Sequence, residues 1–232
     1  MKALRPVLSR AAGVPMPGDS VFDAVERLHA ELEEVRELLS GPDASVRLVL
    51  TPENVVLAEA RRSYTSLSLF GYRVDGVVAN RVFPAEGADD WRAGWVLAQD
   101  EVLELVDASF AGLPIWRSEY RPREPVGIEA LSGLAREVYG ADDPLAPARG
   151  NGPFRLTRHG SGAVLRLALP FVSRSEVDLA RNGDELVVTV GSYRRLITLP
   201  SALARHRIAG ARVEQGELRV RFIEDPDDKA GR

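Results

Sequence analysis

Asn80 is the residue whose type and position best fit a chemical role in this chain. A carboxamide both donates and accepts hydrogen bonds, so it can pair with the edge of a purine base. Asn80 directly follows an apolar run, Val74 to Ala79, that is typical of a buried strand. The alternative is an ordinary asparagine that forms the turn after its strand. Position alone leaves both interpretations open.

The usual catalytic and metal-binding patterns do not occur in the sequence. It contains no cysteine, which excludes thiolate ligands, cysteine nucleophiles and disulfides. The only lysines, Lys2 and Lys229, lie outside any glycine-rich loop, so the sequence has no P-loop to hold nucleotide phosphates. The three histidines, His29, His159 and His206, are far apart on different predicted elements. We therefore expect no metal site.

Asn80 lies at the end of a segment that predicts a βαβ unit. The run Val46 to Leu50 predicts a strand, and a helix follows with the Thr51 hydroxyl at its cap and a proline in its first turn. The helix is expected to end near Phe70, with Gly71 as a left-handed cap. In parallel sheets ligands bind beyond the carboxyl ends of the strands. Thr51 and Asn80 both fall there.

Further segments complete a helical and parallel-sheet half. Asp89 and Asp90 are better explained as the cap of a helix to about Phe110 than as a catalytic pair of carboxylates. Leu113 to Trp116 predicts a third strand, residues 117–125 an irregular segment, and Gly127 to Tyr139 a last helix. With an irregular lead-in over residues 1–18, this order describes part of a doubly wound α/β sheet.

An amphipathic helix is predicted from Asp19 to about Ser40. Its apolar residues alternate spacings of four and three, which places them on one face; they are Val21, Val25, Leu28, Leu32, Val35 and Leu39. One interpretation is a face that packs against the neighbouring domain. The other is the wall of a groove or a surface for a partner helix or client protein.

The character of the sequence changes after residues 141–153, which are rich in proline, glycine and alanine and predict a linker. Short strand-like runs follow, with Asn182-Gly183 as a hairpin turn; they are Phe154 to His159, Ala163 to Leu169, Glu176 to Leu179, Glu185 to Val190, Arg194 to Leu199 and Glu217 to Phe222. This pattern predicts an all-β, immunoglobulin-like sandwich over residues 154–223. Residues 224–232 are acidic, and we expect them to be disordered.

Charge and hydropathy narrow the partners and the compartment. A net charge of −4 gives no general attraction to nucleic acid. No apolar run reaches the roughly 18 to 20 residues that cross a bilayer. We therefore expect a cytoplasmic protein that meets membranes only indirectly.

Residues 1–140 resemble the C-terminal half of the ArsA family, the arsenite-pump ATPases and their relatives that target tail-anchored proteins. The resemblance is carried by TPE, the EARR helix, VVANRVFP and EPVGIEAL, which occur in the family order. It implies a dimeric ATPase of the P-loop fold that uses ATP and magnesium. It also implies that Asn80 contacts adenine, that Pro114, Ile115 and Trp116 lie against the base, and that residues 1–40 belong to the client subdomain.

The family's P-loop and switch regions have no counterpart in these 232 residues. The resemblance therefore assigns no catalytic residue, and we expect the chain to be inactive alone, with weak or partner-dependent nucleotide binding. A P-loop-bearing ArsA-type subunit or a homodimer would supply the missing strands, or the remaining sheet is rearranged, or the chain is a fragment of a longer product.

Residues 153–223 are similar to the α-crystallin domain of small heat-shock proteins. Leu169-Pro170, Leu199-Pro200 and the Gly216-Glu217-Leu218 triplet stand where that family has its signatures. Some ArsA-family members carry such a domain at their C-terminus. The alternative function is a non-enzymatic, chaperone-like or protein-interaction module, because exposed strand edges are natural sites for strand addition.

Overall fold

The structure, a computed structural model, describes residues 19–146, 152–160, 162–203 and 205–225. The chain divides into two compact units, residues 1–41 and residues 42–232. The predicted lead-in of residues 1–18 lies outside the described residues.

The first unit contributes one described helix, α1 (Asp19–Ser40). It has the bounds that the sequence predicts. The six residues of the predicted stripe share an exposed fraction between 45 and 58%; they are Val21, Val25, Leu28, Leu32, Val35 and Leu39. We refer to them below as the α1 stripe.

The second unit begins with a parallel sheet and its helices. The elements are β1 (Val46–Leu50), α2 (Asn54–Phe70), β2 (Val74–Val82), α3 (Asp90–Ser109), β3 (Ile115–Glu119) and α4 (Ile128–Tyr139). The strands pair in the order β1-β2-β3, and both pairings are parallel. One face of the sheet packs against α2 and α3 in a core that includes Leu48, Leu50, Val77, Leu57 and Val106.

The ends of α2 differ in how well the sequence predicts them. The N-terminal cap is Glu53, not Thr51, and the Thr51 hydroxyl lies 3.0 Å from the Glu53 carboxylate instead of from a helix N–H. The proline therefore precedes the helix. The C-terminal prediction is confirmed: Gly71 has φ of 94°, a left-handed conformation that glycine adopts without steric cost.

Two strands extend further than the sequence predicts. β2 continues through Asn80 and Arg81 to Val82, with an irregularity in its pairing to β3 between Asn80 and Val82. β3 takes up Arg117 to Glu119, which were expected to be irregular because they begin a proline-rich segment. Ser118 in this stretch is 4% exposed, so the strand is held by its place in the sheet, which local composition does not reveal.

The remainder is an antiparallel sandwich. Its strands are β4 (Phe154–His159), β5 (Gly162–Ala168), β6 (Val177–Asn182), β7 (Glu185–Val190), β8 (Tyr193–Thr198), β9 (His206–Glu214) and β10 (Glu217–Glu224). One sheet has the order β4-β5-β10-β9 and the other β6-β7-β8. The Asn182-Gly183 hairpin is confirmed, with Gly183 at φ of 60°. The fold class predicted for both halves is confirmed.

The sequence analysis missed β9. Its apolar and polar residues do not alternate cleanly, because its pairing with β10 shifts register between Arg221 and Phe222. An Ala-Gly-Ala stretch at residues 209–211 adds little β propensity.

The two halves of the second unit pack against each other. Leu69, in the last turn of α2, is fully buried within the hydrophobic core of the sandwich. The Thr65 hydroxyl donates to the Pro170 carbonyl at 2.6 Å. The Phe171 ring meets those of Tyr64 and Phe110 with centroids 6.2 and 5.8 Å apart. The α2 helix is therefore shared by both halves.

The predicted linker and tail are described only in part. Of residues 141–153, residues 147–151 lie outside the described residues, as do 226–232 of the predicted tail. β10 itself extends to Glu224. The proposed domain boundaries stay a prediction. In the described part of the chain, no helix is long and apolar enough to cross a membrane.

Candidate functional site

A cleft opens at the carboxyl ends of β1 and β2, the side of a parallel sheet where ligands bind. It encloses about 460 Å³. Residues at or just after the carboxyl ends of the three strands line it, together with one face of α3; they are Thr51, Pro52, Glu53, Asn54, Arg81, Phe83, Trp91, Trp95, Ala98, Gln99, Val102 and Tyr120. We call this space the carboxyl-end cleft.

Aromatic rings form one wall of the carboxyl-end cleft. Phe83 and Tyr120 are stacked, with centroids 5.1 Å apart and 17° between their planes. Trp95 lies 6.3 Å from Phe83 and 6.1 Å from Trp91. Trp91 and Trp95 are 68 and 49% exposed. Exposed rings of this kind can stack on a planar ligand such as a nucleobase.

Gln99 holds the aromatic wall in place from α3. Its side-chain oxygen accepts from the Phe83 N–H at 2.8 Å, and its amide donates to the Phe83 carbonyl at 2.7 Å. Gln99 is only 5% exposed. The bidentate contact therefore fixes the backbone that leaves β2.

Arg81 brings a positive charge to the carboxyl-end cleft. It has φ of 58°, a left-handed conformation that costs energy in any residue with a Cβ. The irregularity in the β2–β3 pairing falls at this residue. Bulges of this kind re-aim side chains next to functional sites.

Asn80 lies one residue before Arg81, at the carboxyl end of β2. It is half-buried and pairs in register with Ser118 of β3. Asn80 itself is not among the residues that line the cleft, whereas Arg81, the next residue along β2, is. Contact between Asn80 and a base stays a prediction.

The other three predicted base-binding residues lie at the opposite end of the sheet. The Pro114 carbonyl accepts from the Val77 N–H at 2.9 Å, and Ile115 pairs with Val77. Asn80 is three residues further along β2, about 10 Å at the usual rise of a strand. The structure therefore does not bring Pro114, Ile115 and Trp116 together with Asn80, and their contact with a base is a prediction that no contact supports.

Trp116 belongs to a tight cluster at the amino ends of the strands. Arg47 donates to the Asp75 carboxylate at 2.8 and 3.2 Å, and its guanidinium lies 4.5 Å from the centre of the Trp116 ring and 5.4 Å from that of Tyr139. The Asp75 carboxylate raises the pKa of Arg47. The Trp116 indole N–H donates to Asp142 at 2.9 Å. These mutual contacts indicate a structural clamp that holds the segment after α4 against the sheet.

The sequence analysis missed Arg81, Phe83, Gln99 and Tyr120 as site residues. Phe83 and Tyr120 carried a usable signal, because each is an aromatic residue just after a strand. Gln99 carried none, since a glutamine inside a helix usually faces solvent.

Two other predictions concern metals and α1. Among the described residues no group of three or more His, Cys, Asp or Glu side chains could hold a metal ion. The α1 stripe belongs to the other compact unit. Its role as a client or interface surface stays a prediction.

Comparison with known families finds a matching family profile for each half of the chain. A family profile described as anion-transporting ATPase matches residues 1–140, more than half of the 232 residues. This chain belongs to the ArsA family of anion-transporting ATPases. A second profile, described as an HSP20-like domain found in ArsA, matches residues 160–222. Both resemblances seen in the sequence are thereby confirmed.

Two similar proteins are longer than this chain. An uncharacterized protein of Streptomyces coelicolor is 38% identical over 97% of this chain and 57% of its own length. A putative arsenical pump-driving ATPase of Aquifex aeolicus is 31% identical over 95% of this chain and 57% of its own length. The chain therefore spans little more than half the length of these relatives.

Among solved structures, the hspA protein of Xanthomonas axonopodis aligns with 32% of this chain and 92% of its own. The identity is 18% and the TM-score 0.27, a likeness too partial to carry an argument.

Proposed function

We propose that this chain forms the adenine-binding side of an ArsA-type ATPase and that it does not hydrolyse ATP by itself. The observation that carries the proposal is the carboxyl-end cleft, which lies on the part of the chain that the ATPase family profile matches. The cleft has the position and the aromatic wall that a nucleotide site needs, and Arg81 and Glu53 are the charged residues among the described ones that line it.

The chemistry of the cleft supports a base more directly than it supports phosphates. The rings of Phe83, Trp91 and Trp95 offer faces for stacking. Asn80, near the carboxyl end of β2, has the donor and the acceptor that a purine edge requires. Among the described residues, Arg81 is the one basic residue that lines the cleft, and a single arginine does not replace a phosphate-binding loop.

Hydrolysis needs groups that these 232 residues do not contain. A P-loop lysine and its glycine-rich backbone hold the transferred phosphate and position magnesium. We propose that a P-loop-bearing ArsA-type polypeptide, or a second copy within a dimer, completes the site. ATP and magnesium would then bind at that joint site, in the cytoplasm.

The α1 stripe is the proposed surface for a client protein or for the completing subunit. Its six apolar residues are about half exposed on one face of a 22-residue helix, and such faces lie in hydrophobic grooves of partners. Any contact with a membrane would be indirect, through the client.

Nucleotide binding is tested by calorimetric titration of the purified chain with ADP and magnesium. We expect saturable binding that Asn80→Ala weakens by about tenfold, the effect of about 1.4 kcal/mol for a lost hydrogen bond. Asn182→Ala, in the hairpin of the sandwich, is the matched control and leaves binding unchanged. In a separate assay with ATP and magnesium, we expect neither the unchanged protein nor the variants to release phosphate.

Two results would contradict the proposal. Release of phosphate by the pure 232-residue chain would show that hydrolysis needs no partner. Equal affinity of Asn80→Ala and the unchanged protein would remove the asparagine from the site.

The second candidate function is a chaperone-like or protein-interaction module without nucleotide. The exposure of the α1 stripe favours it. In that case the chain binds no ADP at millimolar concentration, while replacement of Leu28 and Leu32 by serine abolishes binding to a client or subunit.

A further inference from the structure

Four arginines lie side by side across the four-stranded sheet of the sandwich, one on each strand. Arg155 is opposite Arg166, Arg166 is opposite Arg219, and Arg219 is opposite Arg212. Neighbouring strands are about 4.8 Å apart, and like charges directly opposite each other destabilise a sheet. Acidic residues of the same sheet offset part of this repulsion, since Glu217 pairs with Arg166 and Arg219, and Glu214 pairs with Arg212.

The row is the most regular part of a wider charge asymmetry. Residues 154–223 contain twelve arginines and no lysine against six acidic residues. Residues 1–140 contain 15 basic against 22 acidic residues. The positive charge of this acidic protein is concentrated on the sandwich.

One end of the arginine row opens into a pocket of about 240 Å³. This pocket lies where the sandwich meets α2 and the start of β2. Arginines and hydroxyl groups from both halves line it, namely Arg73, Arg155, Arg166, Tyr64, Tyr72 and Ser68. Arg73 reaches the sandwich side, since a Cβ built on Gly152 would lie 3.5 Å from its Nη2. We call this space the junction pocket.

The junction pocket carries more positive than negative charge. In the described chain, Glu217 is the acidic residue that lines it, against three arginines. The Glu217 carboxylate is also shared, because it accepts from Arg166 at 3.4 Å and from Arg219 at 2.5 Å. An anion that entered the pocket would balance the excess charge.

We propose that the junction pocket binds a phosphate group, either as free phosphate or as a phosphate monoester. Guanidinium groups present two parallel N–H donors that match the oxygens of phosphate. The hydroxyls of Tyr64, Tyr72 and Ser68 supply further donors for the remaining oxygens. The volume suits a small group, since one water occupies about 30 Å³ in the liquid. None of these residues lines the carboxyl-end cleft, so the assignment does not depend on nucleotide binding there.

The test is titration of the full 232-residue chain with inorganic phosphate at constant ionic strength, followed by calorimetry. We expect saturable binding that Arg166→Gln weakens by about tenfold or more, because a charged hydrogen-bond donor is lost. Arg212→Gln is the matched control: it removes an arginine of the same row that lies outside the pocket, and it leaves the affinity unchanged.

A second variant protects the test against a folding defect. Arg155→Gln alters an exposed side chain, and circular dichroism shows whether each variant keeps the sandwich. Phosphoserine is titrated in parallel: tighter binding than inorganic phosphate identifies a monoester, and weaker binding identifies the free anion.

The proposal is overturned if phosphate gives no more heat than chloride, or if Arg212→Gln loses as much affinity as Arg166→Gln. Adenosine, which has no phosphate, probes the carboxyl-end cleft separately. Absence of phosphate binding in the junction pocket is thereby distinguished from absence of base binding in the carboxyl-end cleft.

Discussion

Gln99 shows how a single buried carboxamide fixes the wall of the carboxyl-end cleft. Replacing it by leucine keeps the volume but leaves the N–H and C=O of Phe83 without their partners. We expect Gln99→Leu to lower the free energy of unfolding by about 1–3 kcal/mol, the usual cost of unsatisfied polar groups. Urea denaturation measures this loss. Asp100→Ala, at the next and exposed position, should change stability by less than about 0.5 kcal/mol, and an equal loss in both variants would contradict the interpretation.

At the same scale, the sequence predicted some contacts and could not predict others. Gly71 and the cap formed by Asp89, which accepts from the Arg92 N–H at 2.9 Å, follow from local rules and are confirmed. The clamp between Arg47 and Trp116 joins residues far apart in the sequence, and no local pattern signals it. The grouping of Trp116 with Asn80 came from the family resemblance alone, and the strand register separates the two residues.

Among the elements, α2 has two structural roles. Its first turn borders the carboxyl-end cleft, and its last turn packs in the core of the sandwich. Leu69→Ala removes a fully buried side chain from the sandwich core. We expect the free energy of unfolding to fall by about 2–5 kcal/mol, measured by urea denaturation. Val55→Ala is the control on the same helix, since Val55 is 74% exposed. A loss at Leu69 no larger than at Val55 would mean that the helix does not belong to the sandwich core.

The elements that the sequence predicted best are those with strong periodicity and end signals. The bounds of α1, β1 and β7 follow from apolar spacing and flanking turn residues. β9 was missed because a register shift breaks its alternation. The prediction of β3 stopped at Trp116 because the prolines of residues 117–125 indicate an irregular segment, whereas pairing in the sheet extends the strand to Glu119. The carboxyl-end position of the cleft was predictable by rule, and Phe83 and Tyr120 carried a usable signal, but Gln99, which holds the wall in place, carried none.

Across the whole molecule, the shared helix predicts cooperative unfolding of residues 42–232. All three tryptophans, Trp91, Trp95 and Trp116, lie in the α/β half, so their fluorescence reports on that half alone. Pulsed amide hydrogen exchange, read by mass spectrometry over peptides of β5 to β10, reports on the sandwich. Because Leu69 joins the two cores, we expect both signals to change at the same urea concentration. Transitions at clearly different concentrations would contradict this coupling.

The burial of Leu69 also bears on how such a protein can be rearranged. A domain that recombination can move from one host to another keeps its own core and leaves its host intact. This sandwich depends on three groups of α2, a helix far earlier in the chain. The Leu69 side chain packs in the sandwich core, the Thr65 hydroxyl donates to Pro170, and the Leu69 carbonyl accepts from Arg195. Removing the sandwich would expose the apolar Leu69 side chain on the ATPase half. We therefore expect the ATPase half and the sandwich to be inherited together and exchanged only as a pair.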